Sequence, residues 1–425
     1  MIRFILKTIK GNKKKYVLMS LVLSIVVSFF YVFLSLYESI SGISADIVTG
    51  MGIDVINFLA LALGVFVIIR INNYIIDDHT QEYALLLLTG RNFKQLLSYV
   101  FMHTGSILLL CFVVGGLLGN IWVVLINAFY KFIYIDFIVH LPSLFSYILI
   151  YPVCMIILLA ISIMKINMLD LNINDHLRSK FKMKTLVPQK KTVPYLIFTV
   201  IGILFLSSGF KLTFDSNITM SSYTSFIGVI IGIVFVSNFL IPFLYYTFHN
   251  SLVLRSKKIM FILNGFMELS TTLALSFGIN SIIIPILLVS LIIMNIEMLK
   301  YSIITIYILV LFMIMICFVL QLNMYCRTLI YKINTLKSLG LKSKEMKLIQ
   351  IVQVFLYLLV ISLPFIAFYS LLYNSYLSGL LDKQLLLLLA GGYVIVYLFI
   401  GIYMIIKFNM VIKEAYGYVK YLNRS

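Results

Sequence analysis

Charge is scarce in this chain of 425 residues: Asp, Glu, Lys and Arg make up 11% of it, against roughly 25% in soluble domains. So few charges cannot cover the surface of an ordinary water-soluble protein, which excludes that class. Polarity is also too low for a disordered chain, since 62% of the residues are apolar and mean hydropathy is +1.09. Cysteine is sparse as well. Cys111, Cys154, Cys317 and Cys326 stand in or beside apolar runs without CxxC spacing. That argues against a zinc site or disulfide framework and for packing inside a membrane. Tryptophan occurs once, at Trp122, where it packs in or near the outer half of a predicted span. Acidic residues number 15 against 33 Lys and Arg, a net charge of +18. In a soluble chain that excess would point to nucleic acid. In a membrane chain it bears on orientation instead, and no nucleic-acid partner is expected.

What the chain has in abundance is long apolar runs. A span needs about 20 apolar residues, and ten runs qualify: 16–37, 53–69, 96–129, 144–164, 193–210, 223–248, 272–296, 302–325, 348–373 and 385–406. With the N-terminus inside, 29 basic residues fall on cytoplasmic segments. Only Lys131, Lys211, Lys300 and Lys383 fall outside. This positive-inside bias predicts an all-α polytopic membrane protein with both termini in the cytoplasm. The outer loops are too short to fold alone. Residues 1–15 put Ile2, Ile5, Leu6 and Ile9 on one side and lysines elsewhere. They read as an amphipathic elbow drawn to anionic membrane lipid, not as a cleavable signal.

The spans themselves lack ionisable groups. Asp54, Glu297 and Lys300 lie at predicted outer ends, and His103 alone lies well inside a span, where helix packing is its expected role. Ion-driven carriers place carboxylates at mid-membrane, so a secondary transporter or a charged-ring channel is disfavoured. The chain also lacks GxxxxGK[ST], HExxH, GxSxG and paired carboxylates. No catalytic residue, metal site or cofactor of its own is expected. Asp77, Asp78, His79 and Glu82 form an acidic cluster that reads as salt bridges to a partner or a nearby loop.

Two cytoplasmic segments match. HTQEYALLLLTGRNFKQLLSYVF begins at His79, and IYKINTLKSLGLKSKEMKLIQIV begins at Ile330. Aligning Gly90 with Gly340 sets Leu86 on Leu336, Lys94 on Lys344, Gln95 on Glu345 and Leu96 on Met346. Each reads as a helix, a glycine stop in the left-handed conformation and a new helix. Arg91 and Asn92, or Leu341, Lys342 and Ser343, make the corner, with Asn92 or Ser343 as cap. Tyr83, Leu86, Leu87 and Gly90 share one face of the first helix. Two such rods at equivalent positions predict docking to something with twofold symmetry.

These residues resemble the FtsX-like permeases. Glu82 lies eight residues before Gly90, and Gln95-Leu96 follow five and six after it. The second copy keeps Gly340 and Glu345-Met346 but has Lys332 at the acidic position. The resemblance implies the membrane subunit of an ABC transporter of the mechanotransmission type. Each repeated segment would be a coupling helix seated on one of two copies of an ATP-binding subunit, which would hold ATP and Mg. The docking residues would be Glu82, Tyr83, Leu86, Leu87, Gly90, Arg91, Lys94 and Gln95 in the first copy. In the second they would be Leu336, Lys337, Gly340, Lys342, Lys344 and Glu345.

The ten-span plan further resembles the bacitracin-type antimicrobial-peptide resistance permeases of Gram-positive cytoplasmic membranes. It implies an elbow (1–15), a four-helix unit (16–165), a basic linker (166–192) and a two-helix insert (193–248). A cytoplasmic connection (249–271), a second four-helix unit (272–407) and a tail (408–425) follow. Those relatives carry a large extracellular domain between spans seven and eight, where this chain has only about 295–301. That argues against a histidine-kinase partner and leaves a peptide or lipid-like substrate to the membrane helices. Gly115, Gly116 and Gly119, and Gly228 and Gly232, are spaced for close helix packing. Pro285 and Pro364 lie inside spans, where static helix packing is the favoured role and a hinge at a kink the alternative. The expected function is extraction or expulsion of a hydrophobic or peptide-like compound. The alternatives are a stand-alone immunity protein that sequesters a toxin without ATP, and a lipid-modifying enzyme, for which no catalytic constellation is found.

Overall fold

The structure, a computed structural model, describes residues 13–41, 93–132, 137–171, 192–215, 297–338, 340–377 and 382–422, with parts of 61–86 and 228–273. Seven long helices run through them: α1 Lys13–Ser41, α2 Phe93–Phe132, α3 Leu144–Leu171, α4 Thr192–Asp215, α5 Glu297–Ser338, α6 Ser343–Leu377 and α7 Lys383–Leu422. No strand occurs among the described residues. In lipid a backbone must satisfy its own hydrogen bonds, so uninterrupted apolar runs become helices. Among the described residues, five stretches are long and apolar enough to cross a membrane: Ser20–Ile40, Lys94–Phe132, Leu144–Met164, Lys300–Ser338 and Lys383–Tyr416. The chain is thus an all-α, multi-pass membrane protein. α3 runs on through Pro152, and α6 runs on through Pro364. Pro285 and the predicted span 272–296 lie outside the described residues, apart from Leu273.

The helices sort into two compact units, Met1–Lys182 with Met294–Ile316, and Met183–Ile293 with Cys317–Ser425. α5 gives its first half to the first unit and its second half to the other. In the first unit α1 and α2 pack along a glycine seam. A Cβ on Gly115 would meet Val27 Cγ1 at 2.7 Å, and one on Gly119 would meet Tyr31 Cβ at 2.6 Å. Only glycine admits so close an approach. Tyr31 Oη donates to Asn120 Oδ1 at 2.5 Å beside it, and Trp122 packs on Phe29 with ring centroids 6.1 Å apart. α3 joins through Tyr147, whose hydroxyl donates to the Phe112 carbonyl at 2.7 Å.

Residues 137–143 are fastened to the far ends of these helices. Ser143 N donates to Glu38 Oε2 at 2.7 Å and His140 N to Ser39 Oγ at 2.8 Å. Asn127 exchanges both of its amide bonds with the backbone of Val139, at 2.8 and 3.0 Å. In the second unit, Gly232 approaches Leu206 and the carbonyl of Gly202. Gly228 is half-buried in the same helical stretch. All four cysteines are free and buried.

Candidate functional site

The turn between α5 and α6 is built from local rules. Gly340 has φ +88°, the left-handed region that disfavours any side chain. Its N–H donates to the Lys337 carbonyl at 3.0 Å, and the N–H of Leu341 donates to the Leu336 carbonyl at 3.2 Å. These two bonds are a Schellman stop, which satisfies carbonyls left over at the helix end. The cap of the next helix differs from the sequence expectation. Ser343 is the first residue inside α6, and Lys342 occupies the cap position. Its carbonyl accepts from Met346 N at 3.1 Å. Its N–H donates to Glu345 Oε2 at 3.3 Å, half of a capping box. The longer reach of a glutamate three residues on replaces a serine hydroxyl at the cap.

The corner is also held by α7. Tyr416 Oη donates to the Leu341 carbonyl at 2.6 Å. Lys337 Nζ donates to the Ala415 carbonyl at 2.9 Å and lies 5.1 Å from the centre of the Tyr416 ring. Sequence reasoning did not find Tyr416, because nothing local marks a tyrosine 75 residues from its partner. The exposed side of the corner carries Gly340, Lys342, Lys344 and Lys347, while Leu336, Lys337 and Glu345 are half-buried. Lys332 is paired with Glu268 of the helical stretch 261–270. The acid missing from the second repeat's own helix is thus met from another segment.

In the first repeat, Glu82, Leu87, Gly90, Arg91 and the cluster Asp77, Asp78 and His79 lie outside the described residues. Tyr83, at 1% exposure, presents no surface. It belongs to a buried cluster with Ile76, Leu96, Tyr99 and Val100, against which Leu86 and Leu97 pack. Tyr83 and Tyr99 meet edge to face, 6.2 Å between centroids, and His103 stacks on Tyr99 at 6.1 Å. Lys94 and Gln95 are exposed.

The repeat extends beyond the sequence motif. α2 begins at Phe93 and α6 at Ser343, at the same offset as Gly90 and Gly340. The counterparts of Ile76, Tyr83, Leu96, Tyr99 and Val100 are Cys326, Ile333, Met346, Ile349 and Gln350, and all five are buried. Among the described residues no cluster of His, Cys, Asp and Glu could hold a metal ion.

Residues 54–169 match the family model described as FtsX-like permease C-terminal. No curated protein matches the chain.

Proposed function

We propose that this chain, whose residues 54–169 match the FtsX-like permease model, is the permease subunit of an ABC transporter, served by two copies of an ATP-binding subunit. One observation supports this reading: the corner at Gly340 is hydrogen-bonded to three helices, exposes three lysines and repeats the burial pattern of the matched first segment. ATP and Mg belong to the partner subunits, and this chain's part is to receive a displacement. The Schellman stop ties the corner to α5, the Glu345 cap ties it to α6, and Lys337 and Tyr416 tie it to α7. A push on the exposed lysines therefore reaches three helices together.

The compound moved is hydrophobic or peptide-like, as in resistance to, or export of, antimicrobial peptides and bacteriocins at a Gram-positive cytoplasmic membrane. The apolar outer face of α2, with Leu110, Val113, Leu117 and Val124 exposed, suits such a cargo or the lipid around it. The test is co-expression with an ABC ATP-binding subunit encoded in the same genome. Co-purification and stimulated ATP hydrolysis are expected, with both reduced by Lys342→Glu combined with Lys344→Glu. Protection of cells that persists with a hydrolysis-dead partner would overturn the reading in favour of a stand-alone binding protein.

A further inference from the structure

The two repeats differ where they should be alike. In the first, the rings of Tyr83 and Tyr99 meet inside a buried cluster. In the second, both positions are isoleucine, Ile333 and Ile349, and the Val100 position is Gln350. Both isoleucines border open space. A cavity of about 310 Å³ lies between the helical stretch 261–270, α5 and α6, walled in part by Tyr325, Ile333, Ile349 and Gln350.

Its polar groups are unequally committed. Gln353 donates its Nε2 to the carbonyls of Phe261 and Ile262 at 3.1 and 3.4 Å. Lys332 is neutralised by Glu268. Gln350 is 3% exposed, and among the described residues neither its Oε1 nor its Nε2 has a hydrogen-bond partner. A buried carboxamide left without partners is costly, because its desolvation goes uncompensated. Here it faces an apolar cavity at the small end of the range for ligand sites.

We propose that this cavity binds an uncharged amphiphile: an aliphatic chain whose head is an amide or carries hydroxyls. The apolar walls take the first part of the chain, and the head exchanges donor and acceptor bonds with Gln350. Phosphate or carboxylate heads are disfavoured because Lys332, the lysine among the described wall residues, already has its carboxylate. An ammonium head is disfavoured because that carboxylate is engaged in turn. Such a ligand has two sources, a lipid of the surrounding leaflet or a compound the permease moves. Only the second rests on the function proposed above.

The experiment uses the full chain alone, in phosphatidylcholine nanodiscs, with a photoactivatable lauramide as probe. Labelling at Ile333, Ile349 or their neighbours is expected, competed by lauramide and monolaurin but not by dodecyl phosphate or dodecylamine. Gln350→Val, which copies Val100, should weaken labelling about tenfold, the loss of one buried hydrogen-bonded head. Ile333→Tyr with Ile349→Tyr, which copies the first repeat, should abolish it. Monodispersity and far-UV circular dichroism establish that each variant is folded. Unchanged labelling in both variants, or equal competition by the charged amphiphiles, overturns the proposal. Mass spectrometry of co-purified lipid assigns the source. A neutral lipid lost only from the tyrosine variant marks a lipid site, and probe binding without such a lipid marks a cargo site. No ATP-binding subunit is present, so failure here leaves the co-purification test untouched, and the reverse also holds.

Discussion

The two repeated segments begin from one pattern and end with different interiors. Around Tyr83 the first is closed by two tyrosine rings and a valine, with His103 stacked on Tyr99. Around Ile333 the second keeps the helix start, the buried positions and the exposed lysine, but not the rings. Its corner is instead secured from outside, by Lys337 and Tyr416 across to α7. One segment is held by what fills it, the other by what clamps it. The lesson is that a repeat can keep an exposed lysine at equivalent positions, Lys94 and Lys344, while the residues that fill its core change.

The largest effect should come from emptying the filled core. Tyr83→Ala is expected to cost about 3–5 kcal/mol of stability, more than Ile333→Ala, whose site already borders a cavity. Thermal unfolding of the two variants in one detergent checks the order, and a reversed order breaks the contrast. Next come exchanges between equivalent positions. Val100→Gln should cost about 1–3 kcal/mol, because it buries an amide in a filled cluster. Gln350→Val should be neutral or stabilising, because it removes a buried amide that has no partner among the described residues. Equal effects from the two would mean that the interiors are alike. Gly340→Ala should cost about 1–2 kcal/mol through the left-handed backbone. The gentlest probe is Lys337→Met, with a loss of about 1 kcal/mol for one hydrogen bond. Its larger consequence should be weaker stimulation of a partner's ATP hydrolysis, since it loosens the clamp while leaving the exposed Lys342 and Lys344 in place.

Much of the fold was legible in advance. α1 to α7 begin within a few residues of the predicted runs, because such apolar stretches in lipid have no alternative to helix. Gly340 was legible as a stop, since glycine alone takes that backbone without strain. The cap was misplaced by one residue: Ser343 invited the role, and Glu345 took it from inside the helix by reaching back to the Lys342 N–H. Which residues of the two segments are exposed was legible only in outline. Tyr83 shares a helical face with Leu86, but periodicity does not say whether that face meets a partner or the protein's own core, and Tyr83 turns inward. Tyr416 and Glu268 carried no signal, because each acts on a residue far away in the chain.

The sequence by itself determined the class of protein, the helix starts, the Gly340 stop and the existence of a repeat. These follow from local composition and from backbone chemistry that every stretch must satisfy alone. Tertiary structure decided which faces meet, that a glycine seam joins α1 to α2, that Tyr416 clamps the corner, and that a cavity opens beside Gln350. With 62% of positions apolar, nearly every helix face could be a buried one. The choice among them rests on shape complementarity between segments far apart in the chain, which local patterning does not encode.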